Sequence, residues 1–318
     1  MKFAPLALAG ALLAIAAGPA GAQAVGVGIT KGTAIGQMGA AIASTVSSHA
    51  GLQMRTQAMG GTQKYIEVVN GGELEFGIAN LMQTYMAVTG TGISEGHKFE
   101  NLRMVATLMA FRNGLLVAND SDIKTPKDLK GKLLPYGFNA APLFRYFIDA
   151  VLMNGGLSIK DATQVPAVGL AQSWNLLKQG KVAGVITAVG AGPTAEMDAT
   201  VPGGTRFIDM VTTGPAAEKT LAILPNVYFT VVEPGQQLAG IRKPTNTFGY
   251  DFGLFAHKDV PADVVRRVVK AMYENPGEIK STAAMWATWD IKNMGKDQRM
   301  AYHPGAEEFY KKAGVWKR

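Results

Sequence analysis

Residues 58–80 read as a glycine turn, a short helix, a second glycine turn and a strand. Gly60 and Gly61 bring bare backbone up to the start of the helix, and Thr62 is placed to cap it. Tyr65, Ile66 and Val69 give that helix one buried face. Leu74, Phe76 and Ile78 alternate as in a half-buried strand, which stops at Asn80. The same order stands just upstream. An apolar strand at 25–29 leads to a polar loop, Thr30, Lys31, Gly32 and Thr33. Ile35, Met38, Ile42 and Val46 then mark one helix face, capped by Thr30 or Thr33, and Leu52, Met54 and Thr56 alternate as the next strand. Strand, polar turn, helix and strand, repeated, predict βαβ units and a mainly parallel sheet. Open sheets of this kind bind ligands beyond the carboxyl ends of their strands. Those ends are residues 30–33, 58–62 and Asn80, and a small ligand is expected in the crevice they face.

The rhythm restarts after about residue 118. Between the two sets stand a helix carrying Leu81, Tyr85 and Val88 and strands at 102–109 and 114–118. Thr125 and Pro126 open a short turn, with proline at the first helical position. A strand at 133–136 is followed by a helix with Phe144, Phe147, Ile148, Val151 and Leu152 on one face. A strand at 165–168, a helix with Trp174 and Leu177, and a strand at 182–186 complete the second set. Two such sets predict two α/β lobes. From 201 to 243 prolines cut the chain into short pieces. Phe248, Tyr250, Phe252 and Leu254 then alternate cleanly. Val264, Val265, Val268, Val269 and Met272 mark a helix, Trp286 and Trp289 another, and Glu307 to Lys312 the last.

Composition removes several classes of chemistry. The 318 residues are 47% hydrophobic and 17% charged, enough for a large core without staples. With no cysteine, disulfides, thiolate catalysis, iron–sulfur clusters and cysteine-ligated zinc are excluded. The net charge of +7 is spread along the chain, with no basic run or aromatic–basic interleaving of the nucleic-acid-binding kind. Lys2, an apolar run at 6–17, the breakers Gly18 and Pro19, and the small residues Ala22 and Ala24 come in the order of a cleaved export signal. Residues 1–24 are therefore read as a leader, cleaved near Ala24, and the mature chain as periplasmic.

Nucleotide and catalytic motifs fail in turn. Gly26, Gly28 and Gly32 miss the dinucleotide spacing by one residue, and there is no P-loop. No G-x-S-x-G elbow occurs. His49, His97, His257 and His303 are far apart and read as surface or capping residues. Glu73 with Glu75, and Glu307 with Glu308, read as solvated carboxylates. What remains is a set of Gly, Thr and Asn loop ends, which donate hydrogen bonds but supply neither nucleophile nor base. That is a binding site with no cofactor. Thr30 and Thr33 are ligand donors or helix caps. Lys31 is a carboxylate partner or a solvated lysine. Gly60, Gly61 and Thr62 form a ligand cradle or a tight turn with a cap, and Asn80 is a donor or a cap. Arg112 and Arg145 are carboxylate clamps or surface and bridging charges.

These segments resemble the substrate-binding proteins of TRAP transporters, in the TAXI subfamily. The residues that carry the likeness are the loop Thr30-Lys31-Gly32-Thr33, the turn Gly60-Gly61-Thr62 with its strand through Ala79, Asp128-Leu129-Lys130-Gly131-Lys132, and His303-Pro304-Gly305-Ala306 followed by Tyr310. The resemblance covers about residues 25 to 318. It implies an α/β chain of the type II periplasmic-binding-protein fold, two α/β lobes joined by crossing hinge strands. Lobe one would be 25–115 plus 249–318, and lobe two 116–248. It further implies a monomer that captures a small organic anion, a dicarboxylate or acidic amino acid, and delivers it to a membrane permease. In the second lobe the chain departs from the family's glycine–hydroxyl turn: Gly137, Phe138 and Asn139 stand there, and the ligand-facing set gains them together with Thr187 and Gly190. An enzyme on the same fold, or a ligand-binding accessory of a membrane sensor, is the alternative; a base or nucleophile in the cleft would mark the first, a receptor partner the second.

Overall fold

The computed structural model describes residues 22–31, 33–236 and 238–317. Gly32 and most of the predicted leader lie outside the described residues. Gln23 and Ala24, at the predicted cleavage point, are the first residues of a strand.

The first unit is β1 (Gln23–Thr30), α1 (Ala34–His49), β2 (Leu52–Met59), α2 (Thr62–Asn70), β3 (Phe76–Asn80) and α3 (Leu81–Thr89). β4 (Leu102–Ala118) leaves it. The second unit is β5 (Leu133–Gly137), α4 (Leu143–Asn154), β6 (Thr163–Ala167), α5 (Leu170–Lys178), β7 (Gly184–Ala188) and α6 (Gly192–Thr200). β8 (Thr205–Phe207), α7 (Gly214–Ala222) and β9 (Val227–Val232) lead to β10 (Thr245–His257), which returns to the first unit. α8 (Ala262–Glu274), α9 (Pro276–Ser281) and α10 (Pro304–Lys312) close the chain.

Most strands belong to one eight-stranded sheet with the path β2-β1-β3-β10-β4-β7; β8 pairs with β4, and β9 with β10. β1 is parallel to β2 and β3, as the βαβ reading requires, and β5 is parallel to β6 in a separate pair. The amide of Ala183 just before β7 donates to the carbonyl of Leu133 at 2.8 Å, which sets β5 beside β7. The two units therefore repeat one order: β2-β1-β3 continues into β10, and β6-β5-β7 into β4. β4 and β10 are antiparallel neighbours that run through both.

Several elements differ from the sequence reading. Residues 102–118 form a single strand, not two, because β10 pairs with its first part and β7 with its last. β3 is buried on both faces, not alternately, since α1 covers one face and α2 the other. Leu74 packs beneath α2 but precedes the strand. Trp286 and Trp289 sit on and just after a short 3-10 turn rather than an α-helix. Their indoles meet edge-on, 5.3 Å apart, within the main core.

The motif at 303–306 is structural. His303, 1% exposed, caps α10, its Nδ1 accepting from the amide of Gly305 at 3.3 Å. Pro304 takes the first helical position, where no amide is missed. Gly305 lies against the backbone of Ala262 in α8, so closely that any β-carbon would collide with that carbonyl. The stretch docks α10 on α8 and contributes nothing to the crevice.

Candidate functional site

The sheet register places the strand ends opposite one another. Asn80, the last residue of β3, is level with Phe252, which lies between the pairs Asp251–Ala110 and Gly253–Thr107. Ala188, the last residue of β7, is level with Asn113. β3 runs with β4 and β7 against it, so their carboxyl ends point toward each other. About four residues of β4 separate the two levels, or roughly 13 Å at the usual rise of a strand. That is room for a small molecule, and residues 109–112 and 249–252 form its floor.

In the first unit one side chain ties the loop ends together. Tyr65, 0% exposed, donates its hydroxyl to the carbonyl of Ile78 at 2.6 Å and shares a 3.1 Å hydrogen bond with Thr62 Oγ1. Burial pushes its pKa up to about 12, with the hydroxyls of Thr62 and Thr30 opposing the rise. β3 and the start of α2 thus share one phenol. Sequence reading placed Tyr65 only in the core of α2. Its position three residues after Thr62 was the available signal, since residues at that spacing lie on one helix face.

The predicted residues of this unit take varied parts. Thr62 is not the cap of α2: Gly61 holds the N-cap position, no side chain caps the helix, and the Thr62 hydroxyl bonds the Tyr65 oxygen instead. Gly60 and Gly61 have open space around them, with no protein atom within 4 Å of an added β-carbon. Thr33 holds the N-cap position of α1 without capping it, since its hydroxyl donates to the carbonyl of Thr30 at 2.7 Å. The buried hydroxyl oxygen of Thr30 has no hydrogen bond of its own in good geometry. Lys31 is exposed in the turn. Asn80 is a cap, accepting from the amide of Gln83 at 2.8 Å. Gln83 also reaches Gln63 at 3.4 Å, a bridge to α2 that the sequence did not suggest.

In the second unit Gly137 and Phe138 both have left-handed backbone, with φ of 109° and 52°. A bulky residue there is strained, at about 1–3 kcal/mol. The amide of Phe138 is held by the carbonyl of Ala167 at 2.7 Å, and that of Ala140 by Val168 at 2.8 Å. The turn buries the Phe138 ring completely, beside Phe144, and leaves Asn139 exposed. The ring was expected at the mouth of the crevice. It lies in the core instead, because the left-handed pair reverses the direction of the side chain. Thr187 is also buried, sharing a 2.8 Å hydrogen bond with Thr194, which itself donates to Ala188. Gly190 lies in the following turn with φ of 77°.

The floor has two faces of different character. Phe111 and Tyr250 are direct partners in the ladder and share one face with Phe252. On the other, Asp251, 5% exposed, accepts from Lys296 at 2.7 Å, Gln298 at 2.8 Å and Tyr228 at 3.2 Å. Burial and the Asp251 carboxylate push the Tyr228 pKa well up, with Arg112 opposing. Surface pockets of about 370 Å³ beside α2 and about 340 Å³ beside α5 contain none of the predicted site residues. Among the described residues no cluster of three or more His, Asp or Glu could hold a metal ion, and no helix is long and apolar enough to cross a membrane.

Two α/β units linked by a pair of long antiparallel strands, with strand ends facing across them, is the fold of the periplasmic solute-binding proteins. A TctC solute-binding protein from Polaromonas is 16% identical and superimposes with a TM-score of 0.54, over 92% of this chain and 95% of that one. The binding-protein component of an ABC phosphonate transporter from Pseudomonas aeruginosa is 10% identical, with a TM-score of 0.51 over 84% of this chain and 80% of that one. The chain belongs to the NMT1-like family, whose model matches residues 28–314.

Proposed function

We propose that this protein is an exported solute receptor, which captures a small organic anion between its two lobes and hands it to a membrane permease. The TAXI-type resemblance makes a TRAP-type permease the partner and a monomer the working form. It binds its ligand without transforming it. Lobe one would comprise 25–115 plus 249–318 and lobe two 116–248, with β4 and β10 as the hinge about which they close.

The observation that carries this reading is the start of α2. The helix N-terminus has no side-chain cap, and the two glycines before it stand in open space. Its first amides are left for water or for an anion, which the helix dipole favours. α1 starts beside it, also without a side-chain cap. Thr62, Thr30 and Lys31 stand at the same edge, with Thr33 just before α1; Gly32 completes the set on the sequence alone. Asn139, Gly137 and Gly190 are the counterparts across the crevice. Phe138 and Thr187 contribute backbone only, since their side chains are enclosed. Asn80 acts by holding α3.

Replacing Thr62 with valine tests this. Tyr65 keeps its bond to Ile78, so the melting temperature of the empty protein should change little. Ligand affinity should fall about tenfold, the worth of one well-placed hydrogen bond. A screen of organic acids by thermal shift supplies the ligand: at 100 times its dissociation constant a true one adds about 2.7 kcal/mol. A nucleotide or sugar that shifts the midpoint while every acid fails would refute the organic-anion assignment.

A further inference from the structure

The crevice floor is aromatic on the face that carries both α1 and α4. Phe111 meets Phe252 edge-on with ring centroids 5.0 Å apart and lies 6.2 Å from Tyr250. Tyr250 lies 5.9 Å from Phe252 and 5.9 Å from Phe147 of α4. The charged floor residues alternate with these along the strands, so Arg112 and Asp251 belong to the opposite face. There Asp251 is already engaged by Lys296 and Gln298.

On this face two polar side chains have no hydrogen bond to a described residue: Tyr250, and Asn113, whose amide is fully buried beside Phe248. Tyr250 is 9% exposed, and its hydroxyl makes no hydrogen bond to any described residue. By contrast, Tyr65, Tyr310 and Tyr302 each donate to a backbone carbonyl, of Ile78, Val105 and Lys296. The Tyr250 oxygen is not enclosed by protein, so its hydroxyl bonds water in the empty protein and is open to donate to a ligand on the floor. A second carboxylate on the ligand would meet no cation among the described floor residues of this face and would be desolvated against aromatic rings.

We infer that the ligand is a carboxylate with an apolar, ring-sized body that packs on Phe111 and Phe252 and presents an oxygen acceptor to Tyr250, rather than a compact dicarboxylate. This rests on the receptor reading above. The carboxylate would take the open amides at the strand ends, and the body would cover the floor.

Calorimetric titration with pyruvate, 4-methyl-2-oxopentanoate and phenylpyruvate, beside succinate and glutamate, tests it. Affinity should rise by at least about tenfold from pyruvate to phenylpyruvate. Tyr250→Phe should weaken phenylpyruvate by about tenfold without lowering the melting temperature of the empty protein, because it deletes a hydroxyl that bonds only water there. Should that variant fail to fold, the acid series alone decides. Binding of succinate or glutamate, with affinity flat or falling along the keto-acid series, overturns this inference and leaves the receptor standing. Unchanged affinity in Tyr250→Phe assigns the phenol to water and also overturns it. If no acid of either series binds, the organic-anion receptor and this inference fall together.

Discussion

Phe147→Ala will destabilise the protein by about 3–5 kcal/mol, the usual cost of truncating a fully buried phenylalanine. Phe147 is 1% exposed and lies on α4 where that helix crosses β10. Its ring centroid is 5.8 Å from Phe248, 5.9 Å from Tyr250 and 6.0 Å from Phe144. The cavity left by alanine would open between a helix of the second unit and a strand that both units share, so neither can close it alone. Urea unfolding followed by tryptophan fluorescence measures the loss. A midpoint like that of the wild type would mean that the aromatic cluster does not hold α4 to the sheet.

Tyr65→Phe should cost about 1–3 kcal/mol, because the Ile78 carbonyl and the Thr62 hydroxyl lose a buried partner while the ring stays in place. Its effect on binding should be larger than its size suggests. The phenol joins β3 to the start of α2, and without it the two lose their shared anchor. The contrast with Thr62→Val is the diagnostic. The threonine variant should lose affinity alone, whereas the tyrosine variant should lose affinity and stability together. If Tyr65→Phe lowers stability but leaves affinity intact, the loop ends are held by other contacts and the phenol is only a core residue.

Local pattern made much of this architecture legible. The i, i+3, i+4 spacing in α1, α4 and α8 reports burial directly, because one helix face meets the sheet whatever else surrounds it. The glycine and threonine turns at 30–33 and 60–62 fall at the strand ends, as alternation of strands and helices requires. Long-range pairing was less legible. Residues 102–118 look like two strands because the solvation of the middle, around Phe111 and Arg112, breaks the apolar run. Only the partners show that the backbone continues straight through. Burial of β3 on both faces was hidden for a similar reason, since a glycine and an alanine on its second face carry little hydrophobic signal of their own.

The site shows the same division. Thr62 looked like a cap, and Asn80 like a cap or a donor, because each type serves both ends and sequence does not say which amide lies within reach. The backbone reversal at Gly137 and Phe138, which sends the ring inward, depends on the hydrogen bonds that Ala167 and Val168 offer from a neighbouring strand. His303-Pro304-Gly305 carried the most specific family likeness, yet its work is to seat α10 on α8. A helix-docking contact constrains residue identity tightly without facing any ligand.

By itself, the sequence determined the alternation of strands and helices, the two-unit plan, the lack of thiol chemistry and the positions of the glycine turns. Each follows from local geometry or residue inventory. Tertiary structure decided which hydroxyls are engaged, that Tyr65 joins β3 to the start of α2, and that Tyr250 and Phe111 pair across β10 and β4 in one aromatic cluster. Those depend on residues far apart in the chain meeting at a fixed register. The choice between a cap and a ligand donor is set by which neighbours arrive first within hydrogen-bonding distance.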